Sequence, residues 1–277
     1  MYYNQVVPYL MSPPWWLAIA ISLAIAAAAW RYHWLTGTGS LSAFLMGSLI
    51  YFLGGGRAIV PLLAFLISGT VLSWLNKADH TDAAKPRTAA QVWANGGIAT
   101  IIVLLFTYLK YKWPLYQLEN VQLVYLCTIS AVNADTWSTE IGKLLGKSPI
   151  SLRSGRTVPK GTSGAISLVG TLGGFGGALF IPVCVYFLWP LNSVEFILTT
   201  WVGFLACLTD SILGASIQAQ YLVSNSQRLS DSPEEPHQKP TQGIVFVTND
   251  VVNFLTAASG IIYAVILMHF AYILFGA

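Results

Sequence analysis

Eight apolar stretches run through the chain, near residues 15–33, 39–54, 58–76, 91–109, 119–134, 162–189, 194–214 and 247–275. Such continuous runs predict membrane-spanning helices, although several hold only about 14 to 16 apolar residues against the roughly 20 that a ~30 Å hydrocarbon layer requires. The expectation is an all-α polytopic bundle of about eight helices, some short or broken, forming one integral membrane domain over residues 1–277. The polar, proline-rich stretch Ser230-Asp-Ser-Pro-Glu-Glu-Pro-His-Gln-Lys-Pro240 falls between the last two spans. It makes residues 225–243 a mobile cytoplasmic loop rather than a second domain.

Composition agrees with a lipid solvent: 9% of the residues are charged, against roughly 25% in soluble domains. The first apolar run has no basic segment before it and continues into Trp30-Arg31, so it reads as a retained span and not a cleaved leader. Cys127, Cys184 and Cys207 all lie inside apolar runs without paired spacing, which suits small buried hydrophobes better than a disulfide framework or zinc site. His33, His80, His237 and His269 share no metal-ligand spacing.

Charge sets the orientation. The loops after the first, third, fifth and seventh spans carry eleven Lys and Arg, and the opposite loops carry Arg57, Lys110 and Lys112. The positive-inside rule puts the eleven in the cytoplasm and both termini outside, in a cell inner or plasma membrane. Trp189-Pro190-Leu191-Asn192, without a basic residue, suits an external turn.

Three carboxylates interrupt the apolar runs: Asp135 after Asn133-Ala134, Asp210 between Thr209 and Ser211, and Asp250 after Thr248-Asn249. An ionisable group at membrane depth is by default a functional-site hypothesis, because burying it costs several kcal/mol unless it is paired, protonated or metal-bound. Counting 1.5 Å per residue from the outer ends puts Asp135 and Asp210 roughly 24 to 26 Å along their helices. Asp250 opens the last run, so all three reach about one depth on the basic side. With so few cations inside the spans, a shared divalent cation is the simplest partner for Asp135, Asp210 and Asp250.

The segment from Asp135 to Gly164 combines acids, glycines, hydroxyls and Lys143, Lys147, Arg153, Arg156 and Lys160. Lys160-Gly161-Thr162-Ser163-Gly164, just before an apolar helix, offers backbone N–H groups, two hydroxyls and a helix N-terminus to phosphate oxygens. Arg153 and Arg156 add charge-assisted contacts. Alone, such a loop is more often just a topology signal. Gly142-Lys-Leu-Leu-Gly146-Lys147-Ser148 misses the Walker A pattern by one residue between the glycines, and a membrane context rules it out. Asn249 or Asp250 also fits a plain helix cap. Gly170, Gly173, Gly174 and Gly177 have the small-xxx-small spacing of close helix packing. Arg87, Gln91 and Asn95 recur every four residues and make one polar stripe on a helix entering the membrane.

Five segments in order resemble the motifs of the membrane phytyl-phosphate kinase family. They are Arg87-Thr-Ala-Ala-Gln91-Val-Trp-Ala-Asn95-Gly-Gly, Asn133-Ala-Asp135-Thr-Trp-Ser-Thr-Glu140-Ile-Gly, Val158-Pro-Lys160-Gly-Thr-Ser-Gly164, Asp210-Ser-Ile-Leu-Gly214-Ala and Asn249-Asp250-Val-Val-Asn253. More remotely, the Asp135–Gly164 segment is similar to the core of CDP-diacylglycerol synthases and dolichol kinases. The C-terminal His-Gly-Gly and Asp-Arg-x-Asp signature of the synthases is absent, which favours phosphoryl transfer over a cytidylyl product.

The resemblance implies an enzyme that uses CTP and Mg²⁺ to convert a prenyl monophosphate into the diphosphate. Asp135, Asp210 and Asp250 would hold Mg²⁺. Lys160, Gly161, Thr162, Ser163 and Gly164, with Arg153, Arg156 and Glu140, would bind the nucleotide. Arg87, Gln91, Asn95, Asn249 and Asn253 would bind the prenyl phosphate. The partners expected are therefore a prenyl monophosphate, a nucleotide and the bilayer, with no nucleic acid and with oligomerisation left open. A membrane cytidylyltransferase making a CDP-lipid and an ion-coupled transporter are the alternatives.

Overall fold

The computed structural model describes residues 13–79, 86–113, 119–186, 191–223, 229–235 and 237–275. Among these residues are seven α-helices: α1 Trp15–Arg31, α2 Gly37–Asp79, α3 Ala89–Lys112, α4 Glu119–Leu145, α5 Leu168–Tyr186, α6 Ser193–Ser216 and α7 Asn249–Phe275. The stretches expected at 39–54 and 58–76 belong to one 43-residue element, α2, broken at Gly55. Gly55 adopts φ 64 and ψ −160 within Gly54-Gly55-Gly56, a conformation that in practice only glycine enters. The expected turn at 189–190 lies outside the described residues.

Five helical segments are long and apolar enough to cross a membrane: Gly37–Asn76, Ala89–Lys112, Leu168–Tyr186, Ser193–Ser216 and Asn249–Ile273. α1 is a shorter apolar helix. α4 is outside both groups because its second half is polar, yet it is the centre of the bundle, packed against α2, α3, α5, α6 and α7. It also continues eleven residues past the span end expected at 134, to Leu145. Thr136, Ser138, Thr139, Glu140 and Lys143 thus extend a helix that the sequence pattern had placed in a loop.

Capping sets where helices begin. Thr88 starts α3 with a reciprocal box: its backbone N–H donates to Gln91 Oε1 at 2.9 Å and its hydroxyl accepts from the Gln91 N–H. Asn192 and Glu195 form the same box at the start of α6, with both bonds at 2.9 Å. Such a box satisfies two of the first-turn donors that a helix leaves free.

Small residues bring α5 onto α4. A Cβ added to Gly177 would lie 2.7 Å from Trp137 Cβ, and one on Gly174 would lie 3.2 Å from Ser138 Cβ. Polar groups buried there are paired with other helices. Asn133, fully buried, donates to Gly177 O at 2.7 Å and accepts from Ser68 of α2 at 3.0 Å. Ser130 donates to Ala178 O of α5 and Thr199 O of α6. An apolar core including Ile50, Ile98, Ile129 and Ile181 fills the remaining contact.

The fold is not purely helical. Two small antiparallel pairs cap one end of the bundle: β1 Ile150–Ser151 with β2 Ala165–Ile166, and β3 Tyr221–Leu222 with β4 Leu229–Ser230. They lie in the α4–α5 and α6–α7 connections, and β2 occupies residues that hydropathy had joined to α5. Where the second connection is described it is hydrogen-bonded: Thr241 N–H donates to Gln220 O at 2.8 Å and Gln238 Nε2 to Leu222 O at 2.9 Å.

Candidate active site at the capped end of the bundle

A polar cavity of about 720 Å³ opens beneath these two connections. Its walls are the start of α3, the second half of α4, the α4–α5 connection, the end of α6, the α6–α7 connection and the start of α7. Arg87, Gln91, Asn95, Asp135, Glu140, Lys160, Gly161, Thr162, Ser163, Gly164, Asp210, Asn249, Asp250 and Asn253 all line it. Residues 87 to 253 in sequence therefore meet around one space. Arg153 and Arg156 do not line it; they project from an exposed turn between β1 and β2.

Asp135 and Asp210 face each other from α4 and α6 with their carboxyl groups in hydrogen-bonding contact. Thr256 of α7 donates to Asp210 Oδ1 at 2.8 Å. Asp250 lines the same cavity but is not drawn into this pair. Among the described residues no three His, Cys, Asp or Glu side chains are close enough together to hold one metal ion. The expected three-acid cluster thus becomes a pair with a separate acid on another wall. The spread follows from position along α7, which packs on both α4 and α6: the residue of α7 that meets Asp210 is Thr256, and Asp250 lies in the first turn, six residues or about 9 Å of helix before it. That turn is closed by Thr248, whose hydroxyl accepts from Val251 N–H at 3.4 Å, so neither Asn249 nor Asp250 serves as the cap.

Two charged cavity residues, Lys143 and Asp231, had been given no role from the sequence. Lys143 lies two helical turns beyond Asp135 on the same face of α4 and within electrostatic reach of both Asp135 and Asp231. The i, i+4, i+8 series Asp135, Thr139, Lys143 carried that signal. Asp231 comes from the proline-rich stretch, where no periodicity marks it. It accepts from Ser163 Oγ at 2.7 Å, and Ser163 Oγ in turn accepts from Gln218 Nε2 at 3.0 Å. Asp231 keeps an exposed edge, yet the surrounding wall removes enough water to push its carboxyl above the usual range. The Ser163 and Gln218 hydrogen bonds and the Lys143 charge pull the other way.

The Lys160–Gly164 loop is held on both sides. Lys160 Nζ donates to Lys143 O at 3.3 Å, Thr162 Oγ1 to Pro159 O at 2.8 Å, and Gln220 Nε2 to Ser163 O at 2.9 Å. Gly164 has φ 71, and a Cβ there would overlap the Ala215 backbone. Only glycine lets this loop rest on the end of α6. The start of α5 is less open than expected, since Ser167 Oγ accepts from Gly170 N–H at 3.1 Å. Glu140 is committed to α2, accepting from Ser73 Oγ at 3.0 Å and Asn76 Nδ2 at 2.6 Å. It ties the polar half of α4, a cavity wall, to α2 behind it.

The fold and the cavity define a polytopic helical membrane protein with an acid- and cation-lined chamber at one end of the bundle. The chain belongs to the family described as integral membrane protein DUF92, whose profile matches residues 20–261. It is 28% identical over 217 residues to an uncharacterised membrane protein of Synechocystis, covering 75% of this chain and 82% of that one. It is also 26% identical over 267 residues to the chloroplastic protein VTE6 of Arabidopsis thaliana, covering 94% and 73%. Protein PGR of the same plant is 26% identical over 264 residues, covering 86% and 91%. No solved structure matches significantly.

Proposed function

We propose that this chain is a prenyl-phosphate kinase: it moves the terminal phosphoryl group of a nucleoside triphosphate, CTP by the resemblance of its motifs, onto a prenyl monophosphate. The observation that carries this reading is the convergence of Asp135–Asp210, the Lys160–Gly164 loop and the Arg87–Gln91–Asn95 stripe on one cavity. About 720 Å³ is within the range of pockets that engulf a cofactor-sized ligand. The five motifs that resemble the phytyl-phosphate kinase family, in order along the chain, support the same reading. We read the two arms of α2 as separate crossings, giving eight, with the capped end in the cytoplasm and both termini outside.

The donor set fits Mg²⁺. Two facing carboxylates repel unless a proton or cation lies between them, and Mg²⁺ takes one or two carboxylates with phosphate oxygens and water completing its shell. Asp135 and Asp210 would hold it, with Asp250 available on the far wall, and the ion would neutralise charge on the transferring phosphate. Lys143 and Lys160 bring positive charge to the nucleotide phosphates, with Lys160 released from Lys143 O. Arg87, Gln91 and Asn95 orient the acceptor. An acceptor phosphate oxygen forms the new P–O bond as the bond to the nucleoside diphosphate breaks. The monophosphate is already anionic, so no general base is required and positioning carries the catalysis.

The test is product analysis with purified protein, a prenyl monophosphate, Mg²⁺ and CTP labelled at either end. Label from the γ-phosphate in the lipid is the expected result. Label from the α-phosphate in the lipid would make the protein a cytidylyltransferase, and nucleotide-independent ion flux in liposomes would make it a transporter.

A further inference from the structure

A second, apolar space meets the polar cavity. It is a narrow slot of about 90 Å³ enclosed by α1, both arms of α2 and the start of α3. Arg87, Gln91 and Asn95 line both spaces, so the polar stripe is the partition between them. Apart from those three and Ser22, the slot is walled by apolar side chains and glycine, among them Ile25, Ala43, Met46 and Leu63. Arg87 is its sole charged lining residue among the described residues, and it stands at the polar end. A charged end, an apolar bore and continuity with the larger polar chamber match an amphiphile lying across the partition. A further groove between α3 and α7, about 460 Å³ and bordered by Trp93 and Phe254, is open and lacks this partition. Any membrane lipid would cover it.

We propose that the slot receives the first part of a single hydrocarbon chain, and that the phosphate of that lipid sits against Arg87, Gln91 and Asn95. The slot rests on the kinase reading for its role and adds a selection rule. At about 90 Å³ it is well below the roughly 300 Å³ at which pockets begin to engulf whole small ligands, so it takes one chain end and not two. The rest of the chain continues past α1 into the bilayer. Single-chain lipid monophosphates are therefore ligands, and two-chain glycerolipid phosphates are excluded by shape before chemistry is reached.

Equilibrium binding without nucleotide tests this, using the full chain in nanodiscs with radiolabelled geranylgeranyl monophosphate, inorganic phosphate and phosphatidic acid. Ala43→Phe, which fills the bore, should weaken geranylgeranyl monophosphate about tenfold or more through the loss of two or more buried methylene equivalents, with inorganic phosphate, which has no chain, unchanged. Leu63→Ala, which widens it, should leave both ligands bound, so that general damage cannot imitate the result. Arg87→Ala should weaken both ligands. Equal effects of Ala43→Phe on geranylgeranyl monophosphate and inorganic phosphate, insensitivity of both, or phosphatidic acid binding as tightly as geranylgeranyl monophosphate would each overturn the slot. Chain-sensitive binding with no phosphoryl transfer would sink the kinase reading and leave the slot standing; transfer with plug-insensitive binding would do the reverse.

Discussion

Replacing either member of the Asp135–Asp210 pair by Asn should stabilise the metal-free protein while removing its activity. The two carboxyl groups are in hydrogen-bonding contact, and two unit charges about 4 Å apart at an effective dielectric of 20 repel by ~4 kcal/mol. Sharing a proton relieves part of this, so the gain expected for Asp135→Asn or Asp210→Asn is about 1 to 3 kcal/mol. That is a rise of roughly 2 to 10 °C in melting temperature for a chain of this size. Asn keeps an oxygen for the Thr256 hydroxyl and turns its new amide N–H toward the facing Asp135 carboxyl. In EDTA the wild type should be the least stable of the three. Added Mg²⁺ at about a hundred times its dissociation constant should raise the wild type by ~2.7 kcal/mol, and the variants by much less. Activity of each variant should fall by at least about a hundredfold, and the double variant should lose little more, because a site missing one ligand is already spoiled. The assay is thermal denaturation in detergent with EDTA or Mg²⁺, paired with phosphoryl transfer. Variants less stable than wild type in EDTA would show that the pair is a structural hydrogen bond and not a charge site awaiting a cation.

Lys160→Ala should raise the apparent nucleotide dissociation constant roughly 10- to 150-fold, the worth of a charge-assisted contact, whereas Lys147→Ala, exposed and off the cavity, should change it little. Equal small effects in a binding titration would remove Lys160 from the site. Gly164→Ala should cost at least about 1 kcal/mol from its backbone angle alone, and the overlap with Ala215 should also displace the loop, seen as faster proteolysis near residue 160. Glu140→Ala strands the Ser73 hydroxyl and takes one partner from Asn76 Nδ2, which keeps Glu140 O at 2.9 Å, and should destabilise the protein by about 1 to 2 kcal/mol in denaturation, whether or not nucleotide is bound.

Hydropathy located the apolar helices because burial in lipid needs long uninterrupted runs, and the stripe Arg87–Gln91–Asn95 and the acids Asp135 and Asp210 stood out against that background. It misjudged the second half of α4, where Thr136 through Lys143 have too much polarity for a span yet keep a helical period, the mark of a helix facing a wet cavity instead of lipid. Gly54-Gly55-Gly56 looked like a boundary between helices, but the chain resumes helical angles at once, so a break in direction was read as a loop. Asp231 was out of reach of any local pattern: its partner Ser163 is 68 residues away, and only the folding of two polar connections over the bundle brings them together. Asp250 was legible as a cavity acid but not as a separate one, because a span boundary read from hydropathy fixes height only coarsely, and α7 meets Asp210 at Thr256, a turn and a half beyond Asp250.

The polar second half of α4 has a consequence for how the protein is made. A charge at the centre of a helix opposes translocon insertion by about 2.5 to 3.5 kcal/mol, and each Leu, Ile, Phe or Val returns only about 0.3 to 0.6. α4 carries Asp135 within the hydrocarbon depth, where the cost is somewhat below that at the centre, together with the polar Gln122, Thr128, Ser130 and Asn133. Glu140 and Lys143 follow at the membrane edge, so by itself α4 is a poor candidate for release into lipid. Its hydrogen bonds to Gly177 and Ala178 exist only after α5 has been synthesised. Nascent chains truncated after Leu145 should therefore remain beside the insertion channel or slip back, and those extended past Tyr186 should partition into the bilayer as an α4–α5 pair. The glycines of α5 would then act during biogenesis as an escort that lets the helix bearing Asp135 enter the membrane at all.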